Sequence, residues 1–156
     1  MFSANSATLG LTATERVHIG RRAAEALAEE VQTLGAQRVF LLVSTTLRTT
    51  TTEISDIEAA LGDSIACVFD GIKAHGPRSD VLAALEEARA VDADLIITVG
   101  GGSVTDAGKV VALGLKPGFE KHEDFEGFYV YVDEAGETVV PQFDAPEIRV
   151  ICCPTT

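Results

Sequence analysis

The sequence predicts an α/β fold in which a parallel sheet is flanked by helices. Short apolar runs of strand length alternate with segments of helical periodicity along most of the chain. Runs that are apolar at every position are typical of strands covered on both faces, as in parallel sheets. Alternation of strands and helices on this scale favours parallel pairing with right-handed crossovers, so we expect one layered sheet.

Length and composition exclude several classes of protein. The chain has 156 residues, of which 46% are hydrophobic, enough for one domain with a core. Its formal net charge of −12 argues against nucleic acid and anionic membranes as partners. An anionic ligand would have to be held by local donors. No apolar run reaches the roughly 18 residues that span a bilayer. The odd number of cysteines does not fit a disulfide framework, so we expect buried, reduced thiols in a cytoplasmic protein: Cys67, Cys152 and Cys153.

The first third of the chain is expected to contain one strand at the sheet edge, one helix and one central strand. Residues 1–14 are read as a flexible leader, and the alternating residues 16–19 as the edge strand. A helix over 20–34, ended by Gly35, follows from apolar residues at helical spacing. The continuous apolar run 39–43 is the first central strand.

The middle of the chain continues the alternation. The Thr-rich residues 44–52 are expected to form a loop, followed by a helix over 53–61 and a strand over 65–69. Ser79 is placed to cap a helix that runs to about Val91. The strand 95–99 then leads into a helix that ends near Leu115.

The alternation of strand and helix patterns stops after Lys116. Residues 116–147 are expected to be an irregular insertion that contains a small β-hairpin. Its strands, 128–132 and 137–140, would be joined by a four-residue turn. Residues 148–152 return to the pattern of a buried strand.

The main chemical signal of the chain is a glycine turn at residues 100–102. Residues without side chains let a ligand approach the backbone, and the helix that follows points unpaired N–H groups and its positive dipole end at the same place. This is the outline of a phosphate site. The turn is not a G-x-G-x-x-G motif, because Thr105 replaces the third glycine, nor a P-loop, because Ser103 and Val110 occupy required positions.

The turn and the helix after it resemble a known family. Residues 100–109, Gly-Gly-Gly-Ser-Val-Thr-Asp-Ala-Gly-Lys, are similar to the Gly-Gly-Gly-Ser-x-x-Asp-x-Ala-Lys signature of iron-containing (group III) alcohol dehydrogenases, which include maleylacetate reductases. The resemblance covers roughly residues 16–115 and 148–156. It implies a Rossmann-like NAD(P)-binding domain over residues 15–156. It also implies hydride transfer between NAD or NADP and a small alcohol or carbonyl substrate.

The resemblance also implies a role for individual residues. Gly101, Gly102 and Ser103 would contact the pyrophosphate of the cofactor. Asp106 would lie near the nicotinamide ribose, and Lys109 would support the site from the same helix face. Threonines would contribute from neighbouring strand ends. The implied cofactor-binding set is Gly101, Gly102, Ser103, Asp106, Lys109, Thr45, Thr155 and Thr156.

The sequence departs from the family pattern at two places near the turn. Gly108 replaces the usual alanine, which costs on the order of 1 kcal/mol inside a helix. Many members have an aspartate after the first central strand to bind the adenosine ribose, whereas this chain has Ser44-Thr45-Thr46. The missing carboxylate permits NADP, and Arg48 could assist a 2′-phosphate. NAD and NADP both stay open.

The metal site of the family is expected to lie outside this chain. The resemblance implies a divalent metal, iron or zinc, held by one aspartate and three histidines in a helical C-terminal domain that this chain lacks. The histidines present, His18, His75 and His122, lie in three separate segments. No metal ligand or catalytic residue is assigned here. The missing domain or a second copy of the chain is the expected protein partner, and the chain alone is expected to be inactive.

Two alternatives remain open at this point. The same glycine turn, in a looser form, occurs in dehydroquinate synthase and glycerol dehydrogenase relatives. A chain without a metal domain would also fit a stand-alone nucleotide-binding module that performs no catalysis.

Overall fold

A four-stranded sheet in the order β2-β1-β3-β6 forms the centre of the computed structural model, which describes residues 14–155. All three strand pairs of this sheet are parallel, so the predicted α/β architecture is confirmed. The helices are α1 (Ala23–Leu34), α2 (Thr45–Thr50), α3 (Glu53–Leu61), α4 (Arg78–Ala90) and α5 (Gly102–Leu115). The strands are β1 (Val39–Val43), β2 (Ile65–Phe69), β3 (Leu95–Gly100), β4 (Tyr131–Val132), β5 (Thr138–Val139) and β6 (Arg149–Pro154).

The sheet separates two hydrophobic clusters. In β1, Phe40 and Leu42 face a cluster formed with α4 and α5, whereas Val39, Leu41 and Val43 face one formed with α1 and α3. All five side chains are fully buried, which explains why the strand is apolar at every position. Among the described residues, no helix combines the length and the apolar composition needed to cross a bilayer.

The predicted edge strand at residues 16–19 is wrong. These residues form no strand and contact α1 through side chains. The Arg16 Nε donates to Glu30 Oε1 at 2.8 Å, and the His18 Nε2 lies 2.7 Å from the same oxygen. The alternation in this segment therefore reflects a polar side chain facing a helix carboxylate at every second position, not a place in the sheet. The rest of the predicted leader, residues 1–13, lies outside the described residues.

Two predictions near the sheet ends also require correction. The Thr-rich residues expected to form a loop contain α2, where hydroxyls of Thr49 and Thr50 donate to backbone carbonyls one turn earlier, at 2.9 and 2.6 Å. The N-cap of α4 is Pro77, not Ser79. Proline has no N–H and a fixed φ, so it suits a helix start, where the first donors have no intrahelical partner.

The predicted hairpin is confirmed, with strands shorter than expected. The antiparallel pair β4 and β5 is joined by a turn in which the Asp133 carboxylate accepts the N–H groups of Ala135 and Glu137, each at 2.9 Å. The segment before it contains a short 3-10 helix, His122–Phe128, that buries Phe125 against the α4 and α5 side of the core.

The expectation of three buried cysteines is met only in part. All three thiols are free, but Cys67 and Cys153 are half-buried and Cys152 is exposed. The reason is that Cys67 lies in β2 and the other two in β6, the two edge strands of the sheet, where one side of each strand has no neighbouring strand.

Candidate functional site

A cleft of about 650 Å³ opens at the carboxyl ends of the central strands. The chain passes from β1 to β2 on one side and then to β3 on the other, so the cleft lies where the strand order reverses. Open α/β sheets bind their ligands at this kind of position. The lining residues come from the ends of three strands: Ser44, Thr45, Thr46, Asp70, Gly71, Ile72, Lys73, Ala74, Gly101, Gly102, Ser103 and Val104.

The glycine turn forms one wall of this cleft. β3 ends at Gly100, Gly101 is the N-cap, and α5 begins at Gly102. The first helical hydrogen bonds come from the N–H groups of Val104 and Thr105, both to Gly101 O at 3.1 Å. The N–H groups of the two preceding residues therefore lie before the first intrahelical bond and are available to an anion.

The glycines of the turn are present for different reasons. A Cβ on Gly100 would lie 3.0 Å from the Val104 Cβ and 3.2 Å from the Ser44 Cβ, so packing favours glycine there. A Cβ on Gly102 would meet no atom within 4 Å. Nothing in the described part of the chain requires glycine at this second position. A remaining reason for glycine at position 102 is that it lets a ligand approach the backbone closely.

Ser103 is joined to the loop between β2 and α4. Its Oγ accepts the backbone N–H of His75 at 2.9 Å. His75 has a φ of +67°, a left-handed conformation that costs a non-glycine residue roughly 1–2 kcal/mol. Because the Ser103 oxygen is the acceptor, its proton stays free to be donated into the cleft. The sequence analysis considered His75 only as a possible metal ligand and missed this backbone contact.

The structure brings some of the predicted residues together and leaves others apart. Thr155 lies beside the turn, because its N–H donates to Gly100 O at 3.1 Å. Asp106 and Lys109 share a helix face as predicted, with Lys109 Nζ 3.1 Å from Asp106 Oδ1, but both side chains are largely exposed and neither lines the cleft. Thr156 lies outside the described residues.

The opposite wall contains a small charged network. Thr45 lines the cleft and its hydroxyl donates to the Asp70 carbonyl oxygen at 2.6 Å. The guanidinium of Arg48 lies 3.1 Å from the Asp70 carboxylate and 3.7 Å from Glu58. Lys73 is the basic residue that lines the cleft. The sequence analysis gave neither Asp70 nor Lys73 a role in ligand binding.

The described residues do not offer a set of metal ligands. Between residues 14 and 155, no group of three or more His, Cys, Asp and Glu side chains is arranged to hold a metal ion. His18 is bound to Glu30. Burial raises the pKa of Cys153 to about 11, with a smaller contribution from neighbouring Cys152, so this thiol is protonated at neutral pH.

Comparison with known proteins identifies the family of the chain. The family profile described as iron-containing alcohol dehydrogenase matches residues 14–156. The chain belongs to the iron-containing alcohol dehydrogenase family. Among members of this family, the chain is 40% identical over 102 residues to maleylacetate reductase 1 of Cupriavidus pinatubonensis (strain JMP 134 / LMG 1197), which covers 64% of the chain and 27% of that protein.

Two further proteins are similar to most of this chain. Dehydrogenase ALT3 of Alternaria alternata is 35% identical over 123 residues, covering 78% of the chain and 30% of that protein. The crystal structure of maleylacetate reductase from Rhizobium sp. strain MTP-10005 superposes with a TM-score of 0.60 at 27% identity, covering 93% of the chain and 42% of that structure. The chain thus spans 27% and 30% of the length of the two sequence relatives. By their names, these relatives are two reductases and a dehydrogenase.

Proposed function

We propose that this chain binds NAD(H) or NADP(H) at the glycine turn and forms the cofactor-binding part of a metal-assisted alcohol dehydrogenase or carbonyl reductase. The observation that carries the proposal is the start of α5 at Gly102, with free N–H groups facing a cleft at the strand-order reversal. When bound, the dinucleotide supplies or accepts the hydride.

The residues of the chain bind and orient this cofactor. The N–H groups of Gly102 and Ser103 donate to the pyrophosphate, and the Ser103 hydroxyl adds a third donor because the His75 N–H holds its oxygen. Lys73 adds positive charge, which matters in a chain with a net charge of −12. Thr45 lines the side toward β1, and Thr155 borders the turn from β6.

The complete reaction requires groups that the described residues do not provide. Because several relatives are named maleylacetate reductases, we propose that the substrate of the whole enzyme is a small unsaturated or oxo carboxylic acid. A divalent metal has no ligand set between residues 14 and 155, so no step through it is assigned here. We expect the 156 residues to bind cofactor without turnover, and we propose a cytoplasmic location, where free thiols persist.

Calorimetric titration of the full chain with NAD⁺, NADPH and ADP-ribose tests the cofactor assignment. Gly102→Val places a side chain where no protein atom lies, so the fold is retained while the pyrophosphate is blocked. Gly127→Val is the matched control, because a Cβ there also meets no atom within 4 Å and lies outside the cleft.

We expect Gly102→Val to lose all three ligands and Gly127→Val to bind them as the wild type does, with both variants retaining the wild-type circular dichroism spectrum. Unchanged affinity in folded Gly102→Val would mean that the pyrophosphate binds elsewhere. Absence of binding by the wild type would remove the cofactor assignment.

A further inference from the structure

We propose that Asp70 makes this site selective for NAD(H) over NADP(H) by accepting hydrogen bonds from the adenosine ribose hydroxyls. The inference rests on the proposed cofactor function and goes beyond it, because it assigns the choice of cofactor to a residue outside the glycine turn. The sequence alone left NAD and NADP open, since the end of β1 has Ser44, Thr45 and Thr46 where a carboxylate is usual.

The position of Asp70 fits the adenosine half of a dinucleotide. The cleft extends from the glycine turn toward the ends of β1 and β2, and Asp70 lines it immediately after β2. Two strand spacings of about 4.8 Å separate β2 from β3, which is within the reach of the adenosine half when the pyrophosphate is on Gly102. The Thr45 hydroxyl bonds the Asp70 carbonyl at 2.6 Å and ties the two strand ends together.

The Asp70 carboxylate has one oxygen engaged and one available. Its Oδ2 receives the Arg48 guanidinium at 3.1 Å. Its Oδ1 accepts no hydrogen bond from any residue that the structure describes, and the side chain is 39% exposed. A carboxylate in this state accepts a ribose hydroxyl readily. Dinucleotide-binding folds use an acidic residue for the ribose 2′-hydroxyl in this way, and the same charge repels a 2′-phosphate.

Arg48 is not free to reverse this preference. Its guanidinium lies between Asp70 and Glu58, at 3.1 and 3.7 Å, so the three groups carry a net charge of −1. Turning Arg48 toward a 2′-phosphate would leave two carboxylates without their cation, next to two additional negative charges of the phosphate. Like charges placed together disfavour a ligand, so the network lowers the affinity for NADP(H) relative to NAD(H).

Titration of the full chain with NAD⁺ and NADP⁺ tests the proposal directly. We expect the wild type to bind NAD⁺ at least about tenfold more tightly than NADP⁺. Asp70→Asn should weaken NAD⁺ and strengthen NADP⁺, which brings the ratio of dissociation constants close to one. Asp63→Asn is the matched control, because Asp63 is exposed at the opposite end of β2 and should leave the ratio unchanged.

A double variant separates repulsion by Asp70 from attraction by a released Arg48. If Arg48 contributes once its partner is lost, the gain in NADP⁺ affinity shrinks in Asp70→Asn/Arg48→Gln, while the loss of NAD⁺ affinity persists. The proposal is overturned if the wild type binds NADP⁺ as tightly as NAD⁺, a result that is informative even where a variant unfolds. It is also overturned if folded Asp70→Asn keeps the wild-type ratio. Failure of the wild type to bind either dinucleotide would instead refute the cofactor function itself.

Discussion

Replacing Gly108 by alanine is predicted to destabilise the fold unless Thr98 is shortened at the same time. Gly108 lies in α5 where the helix packs on β3, and a Cβ there would lie 2.2 Å from the Thr98 Cγ2. Favourable carbon–carbon contacts require roughly 3.5–4.0 Å, so a side chain must move. Thr98 is 0% exposed, so moving its side chain would disturb packed neighbours.

The expected magnitudes follow from packing and helix propensity. Overfilling a packed interior costs about 1–3 kcal/mol, and alanine regains about 1 kcal/mol of helix propensity, so Gly108→Ala should lose up to about 2 kcal/mol. Thr98→Ala leaves a small cavity but also removes the Oγ1, which is buried without a hydrogen-bond partner in the described structure. With both changes, the new Cβ would lie 3.6 Å from the Thr98 Cβ and 3.7 Å from the Ile96 Cγ2, which are ordinary contacts.

Urea unfolding of the wild type, both single variants and the double variant measures this coupling. We expect the double variant to be at least as stable as the wild type, with a coupling free energy of about 1–3 kcal/mol. Gly127→Ala is the control, because its Cβ meets nothing within 4 Å. The reasoning is refuted if Gly108→Ala changes the free energy of unfolding by the same amount in the wild-type and Thr98→Ala backgrounds.

Three further predictions concern charge and pH. Lys73→Gln should weaken NAD⁺ and ADP-ribose alike by about three- to tenfold, and should reduce the salt dependence of affinity in calorimetry, because it removes the cation lining the cleft. The Arg16 side chain, and then His18, lower the pKa of Glu30, so this contact stabilises the fold above the ordinary glutamate range and is lost as the pH falls through the lowered pKa. The NMR chemical shifts of residues 14–19 should therefore move toward random-coil values when the pH falls well below the ordinary glutamate range, but not at pH 7. Burial raises the pKa of Cys153 to about 11, so iodoacetamide at pH 8 should label Cys152 first in a timed mass-spectrometric assay.

Each of these predictions has a control within the chain. Lys121→Gln removes an exposed cation outside the cleft and should leave cofactor affinity unchanged. Glu30→Gln should release residues 14–19 already at pH 7, whereas Glu25→Gln, on the exposed side of α1, should not. In urea, Cys152 and Cys153 should be labelled at equal rates. Equal labelling rates in the folded protein as well would contradict the role of burial.

The sheet could be predicted from the sequence because its strands carry their own signal. β1 and β3 are apolar at nearly every position, since helices cover both of their faces. The strand order β2-β1-β3-β6 could not be predicted from the sequence, because no local pattern indicates which strands pair. Residues 16–19 show that alternating polar and apolar residues do not always form a strand. Their alternation is real, but its partner is a helix carboxylate, and sequence spacing cannot distinguish that from a neighbouring strand.

The candidate site also has a part that the sequence predicts and a part that it does not. The glycine turn is a local feature, because the residues that stop β3 and start α5 are adjacent in the chain. The contact of Asp70 with Arg48 and the contact of Ser103 with His75 join residues that are 22 and 28 positions apart. Folding creates both contacts by bringing strand ends together, so charge balance at the cleft could be argued only from the structure.

Position 108 shows how a departure from a family signature can be misread when only local propensity is considered. The sequence assigns the glycine a cost in helix stability and no benefit. The structure supplies the benefit, because Gly108 lets α5 lie against the buried Thr98. The same helix begins with Gly102 and Ser103, so its close packing on β3 fixes where their N–H groups point. Gly108→Ala should push α5 away from β3 and therefore weaken cofactor binding. The double variant, in which the helix can return to β3, should regain the wild-type affinity. Cofactor affinity that follows stability across these four proteins would link the packing of the helix to the geometry of the turn, whereas unchanged affinity in Gly108→Ala would separate the two.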